Sequence, residues 1–126
     1  YNLHYNFFSK FKKFFILPKM NKGVKTNFLA YPIIIKNNKH FTKKNLQLFL
    51  EKNNIQTRPI FTGNILRHPA FASLTSNRNK LNEFKCSDYI MKNGLLIGCH
   101  QGLSSKNVFQ IHKVIVKFFK SRKIHF

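Results

Sequence analysis

Leu3, Phe7, Phe8, Phe11, Phe14 and Phe15 recur at steps of three and four residues, with Lys10, Lys12 and Lys13 between them. This spacing predicts an amphipathic helix that Pro18 stops, followed by a turn at Asn21-Lys22-Gly23. The β-branched run Ile33-Ile34-Ile35 predicts a strand within residues 28–36. Pro32 has no N–H to donate, so it belongs at an edge or near the strand's start. After Asn37-Asn38-Lys39, Thr42 is placed to cap a helix whose buried face is Leu46, Phe49 and Leu50 and which ends near Asn53-Asn54. Residues 55–59 form a short strand. Residues 73–85 are polar and expected as a mobile surface segment. Ser87 is placed to cap a short helix closed by Asn93-Gly94, ahead of a buried strand Leu95-Leu96-Ile97-Gly98. Ser104 or Ser105 caps the last helix, on which Val108, Ile111, Ile115, Phe118 and Phe119 share one face. Residues 121–126 are expected to fray. The order is helix, strand, helix, strand, loop, short helix, strand, helix. That is an α+β layer, a small sheet covered by helices on one face.

The loop after the second strand concentrates the candidate chemistry. Residues 55–71 carry Arg58 on an apolar stretch, then break into Gly63, Asn64, Arg67, His68 and Pro69. A rigid flank that aims polar groups from a loop is a common way to hold a ligand. Two arginines nine residues apart suit phosphate or carboxylate, which a guanidinium grips with parallel hydrogen bonds. The alternatives are structural. Arg58 is placed to pair with Glu51 or Glu83, and Arg67 to be an exposed loop charge. Asn64 either bonds a ligand or takes a left-handed turn position. Gly63 serves backbone geometry. Tyr31 either lines the pocket or is a core tyrosine, and His68 and His100 are weaker candidates.

Composition changes this picture in two ways. At 126 residues with 43% hydrophobic residues, the chain can build one domain with a core. Its 23 Lys+Arg against 3 Asp+Glu give a formal charge of +20, which repels itself at low salt and attracts polyanions. Nucleic-acid binding is one reading of that charge. The spread of lysines along the whole chain, without a stripe, favours compositional bias. The basic aromatic first helix fits a membrane surface, but an aromatic stripe of this kind is more often core. No apolar run reaches the ~20 residues of a membrane span. Cys86 and Cys99 fit neither a C-x-x-C pair nor a disulfide framework, which points to free thiols in a reducing compartment. No two close ligand pairs suggest a metal site. The chain opens without Met, inside a helical pattern, as expected of a piece lacking its N-terminal part.

Four stretches carry a family resemblance. They are Phe14-Phe15-Ile16-Leu17-Pro18, Tyr31-Pro32-Ile33, residues 57–71 with Gly63-Asn64-x-x-Arg67-x-Pro69, and the block from Ser87-Asp88-Tyr89-Ile90-Met91 to Ile97-Gly98-Cys99-His100-Gln101-Gly102-Leu103. In order and spacing the chain resembles the C-terminal part of the DegT-type sugar aminotransferase family, closest to its CDP-4-keto-6-deoxy-glucose 3-dehydratase branch of lipopolysaccharide biosynthesis. The resemblance implies the small C-terminal α+β domain of a fold type I pyridoxal-phosphate enzyme. Residues 1–22 would be the end of the connecting helix and a linker, and residues 23–126 the small domain. It implies a pyridoxal or pyridoxamine 5'-phosphate cofactor bound mainly by an absent N-terminal domain, and a nucleotide-linked 4-keto-6-deoxyhexose as substrate. The cofactor acts as an electron sink that lets the C3 hydroxyl leave. Amine transfer is the alternative within the family. Catalytic and cofactor-binding residues would lie outside this chain, which alone would be inactive. Arg58, Asn64, Arg67 and Tyr31 would contact substrate, with both guanidinium groups in one cleft. A cytoplasmic homodimer is implied for the whole enzyme. The family often has Arg where this chain has Tyr89, and acidic residues common on its helices are Lys or Asn here. That replacement fits either a divergent protein or a decaying remnant.

Overall fold

The computed structural model describes residues 1–75 and 83–124. In chain order the elements are α1 (Asn2–Ser9), β1 (Phe15–Ile16), β2 (Ala30–Ile35), α2 (Lys43–Lys52), β3 (Thr57–Pro59), α3 (Lys85–Asn93), β4 (Gly94–Gly98) and α4 (Ser105–Ser121). Two 3-10 segments, Ile65–Arg67 and Pro69–Thr75, sit between β3 and α3. The four strands form one antiparallel sheet in the order β1-β2-β4-β3. The α+β reading therefore holds.

Alternation builds the sheet. Tyr31, Ile33 and Ile35 are buried on one face, where Tyr31 pairs with Ile97 and Ile33 with Leu95. The Lys36 N–H donates to the Phe14 carbonyl at 2.8 Å, so even-numbered residues of β2 turn their backbone polar groups towards β1. Pro32 presents its missing donor on that side, beyond the last β1 pair, Ile16 with Ile34. A proline is thus tolerated inside a strand that has neighbours on both sides.

The helices begin where the sequence says they should. Thr42 accepts from the Asn45 N–H while the Asn45 side chain accepts from the Thr42 N–H, a reciprocal cap. Ser104 and Asn107 repeat it at α4. Leu46 and Leu50 of α2 are buried, as are Val108, Ile111, Val114, Ile115, Phe118 and Phe119 of α4. α4 packs across α1 and α2 and closes the core over the sheet. Phe8 meets Phe15 edge-on at 5.2 Å, and Phe41 meets Phe118 at 5.3 Å. Each buried ring contributes about 2–3 kcal/mol.

Three expectations are corrected. The first helix stops at Ser9, and Phe15 and Ile16 form a strand, because pairing with Ile35 and Ile34 satisfies their backbone and buries Phe15. Ser87 lies inside α3, whose N-cap position is Phe84 with no side-chain cap. The chain after α4 is not frayed at Ile124, which is buried and whose N–H returns to the Phe119 carbonyl. Residues 1–22 contribute Phe8, Phe11, Phe14 and Phe15 to the same core as the rest. Much of the polar stretch 73–85 lies outside the described residues. No described helix is long and apolar enough to cross a membrane.

Candidate functional site

Two faces of β3 separate structure from exposure. Thr57 pairs with Ile97, is buried, and donates its hydroxyl to Glu51 at 2.7 Å. Glu51 also accepts from Gln47 at 3.0 Å, and these two bonds hold its pKa below the usual carboxylate value. Arg58 pairs with Leu96 and so projects from the opposite face, exposed. Among the described residues it has no ion pair, so the Glu51 alternative is not realised.

The loop beyond β3 is held by a clasp on α3. Asn64 is 3% exposed; its Nδ2 donates to Asp88 at 2.8 Å, and its Oδ1 accepts from the Leu66 N–H at 3.2 Å. Arg67 donates through Nε and Nη2 to both carboxylate oxygens of Asp88. Hydrogen bonds from Arg67, then Asn64, hold the Asp88 carboxyl down at about 2. The pair is partly exposed, so its role is to place the loop more than to stabilise the fold. The His68 Nε2 donates to the Thr62 carbonyl at 2.7 Å and ties the loop to itself. Gly63 lies at φ +64 directly beneath Met91 of α3. Phe61, also left-handed at φ +46, is 82% exposed.

The expected site residues therefore divide. Asn64 and Arg67 come together on Asp88. Asn64 sits at φ −84, so the left-handed turn position falls to Gly63, and Asn64 instead caps the 3-10 turn. Arg67 is not a free loop charge, because Asp88 pairs with it. Tyr31 takes the core alternative. Its exposure is 0%, and its ring packs among Tyr1, His4 and Phe8 on the sheet face opposite Arg58. It is core because β2 alternation turns odd positions inward. Its hydroxyl is buried without a hydrogen-bond partner among the described residues, and burial pushes its pKa up. Tyr31→Phe is expected to stabilise the chain by about 1 kcal/mol in urea unfolding, because it removes an unsatisfied group. A loss of 1 kcal/mol or more would mean the hydroxyl has a partner.

Sequence reasoning missed Asp88 as the organiser of the loop. The available signal was scarcity, since it is one of only 3 acidic residues. It also missed the His4 and His112 pair, whose Nδ1 and Nε2 lie 3.0 Å apart in the core.

An open depression of about 630 Å³ lies elsewhere, lined by Tyr1, Thr26, Asn27, Phe28, Cys99, His100 and Gln101. A smaller one of about 120 Å³ adjoins it at Cys99 and His100. Neither is lined by Arg58, Asn64 or Arg67. None of the described lysines is buried. Glu51 and Asp88 are engaged by their neighbours. No cluster of three potential metal ligands occurs among the described residues.

The chain is similar to known proteins in sequence and fold. The chain is 27% identical over 107 residues to the lipopolysaccharide biosynthesis protein RfbH of Salmonella typhimurium, covering 85% of this chain and 24% of that protein. It is 29% identical over 104 residues to the dTDP-4-dehydro-2,6-dideoxy-D-glucose 3-dehydratase of Saccharopolyspora spinosa, covering 82% and 22%. The chain thus spans about a quarter of the length of these curated relatives. Its fold matches the E. coli GDP-4-keto-6-deoxy-D-mannose-3-dehydratase, solved with hydrated PLP bound, at a TM-score of 0.63 and 24% identity. That match covers 90% of this chain and 29% of the other. Residues 5–116 match the DegT/DnrJ/EryC1/StrS aminotransferase family, and the chain belongs to it.

Proposed function

We propose that the chain is the C-terminal, substrate-facing part of a PLP- or PMP-dependent nucleotide-sugar 3-dehydratase. Its substrate is a nucleotide-linked 4-keto-6-deoxyhexose, and its pathway is lipopolysaccharide O-antigen synthesis. The names of the two curated relatives support this reading. The observation that carries it is the loop pinned to α3 through Asp88, directly following Arg58 of β3, which has no ion pair among the described residues. A rigid loop next to an available guanidinium suits a diphosphate, which accepts two charge-assisted hydrogen bonds. Arg67 takes part through the guanidinium edge that Asp88 leaves open, and Asn64 acts through Asp88. Exposed lysines occur on α2, α3 and α4 and in the turns after α1, a scatter that favours compositional bias over a nucleic-acid stripe.

In this reading residues 1–22 are the end of a connecting helix, α1, and a linker whose β1 joins the sheet of the small domain, residues 23–126. The cofactor is held by the remainder of the polypeptide. The whole enzyme is a cytoplasmic homodimer, and this chain alone turns nothing over.

The test is a splice. Residues 1–126 replace the matching segment of Salmonella RfbH, and cofactor absorbance and product are measured. The expected result is cofactor binding and loss of the sugar's 3-hydroxyl, with Arg58→Ala raising KM roughly tenfold or more. Transfer of an amine without dehydration would move the chain to the aminotransferase branch. A soluble splice that binds cofactor yet does neither would overturn the enzyme reading.

A further inference from the structure

We infer that Phe61 is a stacking platform for the base of a nucleotide ligand, an inference that rests on the nucleotide-sugar reading. Two observations set this residue apart. Its ring is 82% exposed, the most open of the large hydrophobic side chains described. Its backbone lies at φ +46, a region that bulky L-residues rarely occupy. Exposure gives the ring no core packing to offset that strain.

The residues on either side of Phe61 are held in place. The Ile60 side chain before it lies against Gly94, where an added Cβ would approach Ile60 Cδ1 to 2.6 Å. Behind it, the Gly63 N–H returns to the Ile60 carbonyl at 3.2 Å, and Thr62 accepts from His68. Gly63 is pressed beneath Met91, and Asn64 and Arg67 are fastened to Asp88. With Ile60 and Gly63 both fixed, the ring is held outward.

Three residues earlier stands Arg58, exposed and without an ion pair among the described residues. A flat aromatic face three residues along the chain from a guanidinium, within about 10 Å along the backbone, suits a nucleoside diphosphate. The base stacks on the ring, and phosphate oxygens accept from the guanidinium. A saturated sugar presents no π face of this kind. The base is therefore the part of the ligand the ring is suited to take.

The test uses the 126-residue chain with isotope-labelled Phe rings and Arg side chains. GDP, CDP, dTDP and inorganic pyrophosphate are titrated in turn and followed by NMR. The expected result is that all four move the Arg58 guanidinium, while only the three nucleotides shift the Phe61 ring upfield. Phe61→Leu should weaken the nucleotides about tenfold and leave pyrophosphate unchanged. Phe61→Gly should weaken them equally while raising the unfolding temperature, because glycine tolerates the left-handed backbone. Nucleotides that move Arg58 without moving Phe61, or bind the Leu variant as tightly, overturn the stacking role. The nucleotide-sugar reading would then stand, with Phe61 as a protein contact. If none of the four moves Arg58, the diphosphate reading fails and the stacking role fails with it.

Discussion

Gly63→Ala should destabilise the chain by about 2–4 kcal/mol and loosen the loop that carries the candidate site. Two separate costs add at this position. The backbone sits at φ +64, where an L-residue is disfavoured by about 1–2 kcal/mol. An added Cβ would also lie 2.5 Å from both Cβ and Cγ of Met91 and 3.1 Å from its Cα. A rotamer change moves the Met91 Cγ but leaves the overlap with its Cβ, so the loop and α3 must part. Gly23 supplies the control. It lies at φ +80, and an added Cβ there would meet nothing within 4 Å, so Gly23→Ala carries only the backbone cost. Urea unfolding of the two variants side by side isolates the Met91 overlap, and amide exchange over residues 60–68 should quicken only in Gly63→Ala. Equal losses at the two positions would show that the loop does not bear on α3.

Local chemistry made much of the fold legible. Thr42 and Ser104 announce their helices through side chains that reach the third residue onward, and such signals need no knowledge of the rest of the chain. The buried faces of β2 and α4 follow from period-two and period-3.6 spacing. Long-range partners were less legible. Phe14 and Phe15 fit the helical stripe, and only the arrival of Ile34 and Ile35 alongside makes residues 15 and 16 a strand. Ser87 has a good capping side chain but falls inside α3, because the helix starts at Lys85. Tyr31 reads equally well as a pocket wall or a core ring until the sheet decides which face is covered.

The candidate site shows the same limit. Gly63 and Arg67 stand out in the sequence by spacing, yet what they do depends on α3, a helix well separated from them along the chain. Asp88 is invisible as a partner from local pattern alone. Once the acids are counted, however, each described carboxylate with a lowered pKa has a specific task. Glu51 is bound by Thr57 and Gln47 at the start of β3, and Asp88 is bound by Asn64 and Arg67 after it. In a chain of formal charge +20 with 3 acidic residues, these two bracket the loop. Two of the 3 acidic residues hold the ends of the loop through side-chain hydrogen bonds. Their placement ties the geometry of the loop to α2 and α3.

Acidification from pH 7 to pH 4 should remove about 3 kcal/mol of stability through the histidine pair. His4 and His112 meet at 3.0 Å, and the His4 Nε2 donates to the Gly98 carbonyl at 2.9 Å. With that proton on Nε2, the neutral His4 accepts at Nδ1 from the His112 Nε2–H. The Phe7 ring lies flat on His112 at 4.0 Å and keeps water from it. Burial is the first cause lowering both pKa values, and the charges of His4 and Lys10 add to it at His112, which falls to about 4. The unfolded chain takes up a proton at each site near pH 6.5, and the folded chain resists until lower pH. Between those values the unfolded state binds more protons, so stability is complete above about pH 6.5 and falls as pH drops towards 4. Asp88 titrates at about 2 when folded, so its contribution is lost at lower pH and in a separable window. Urea unfolding at a series of pH values measures the slope. His112→Gln, which keeps a donor but cannot take a proton, should flatten it by about one proton. A midpoint unchanged between pH 7 and pH 4.5 would mean that the pair accepts charge in the folded core, and the proposed acid sensitivity would be wrong.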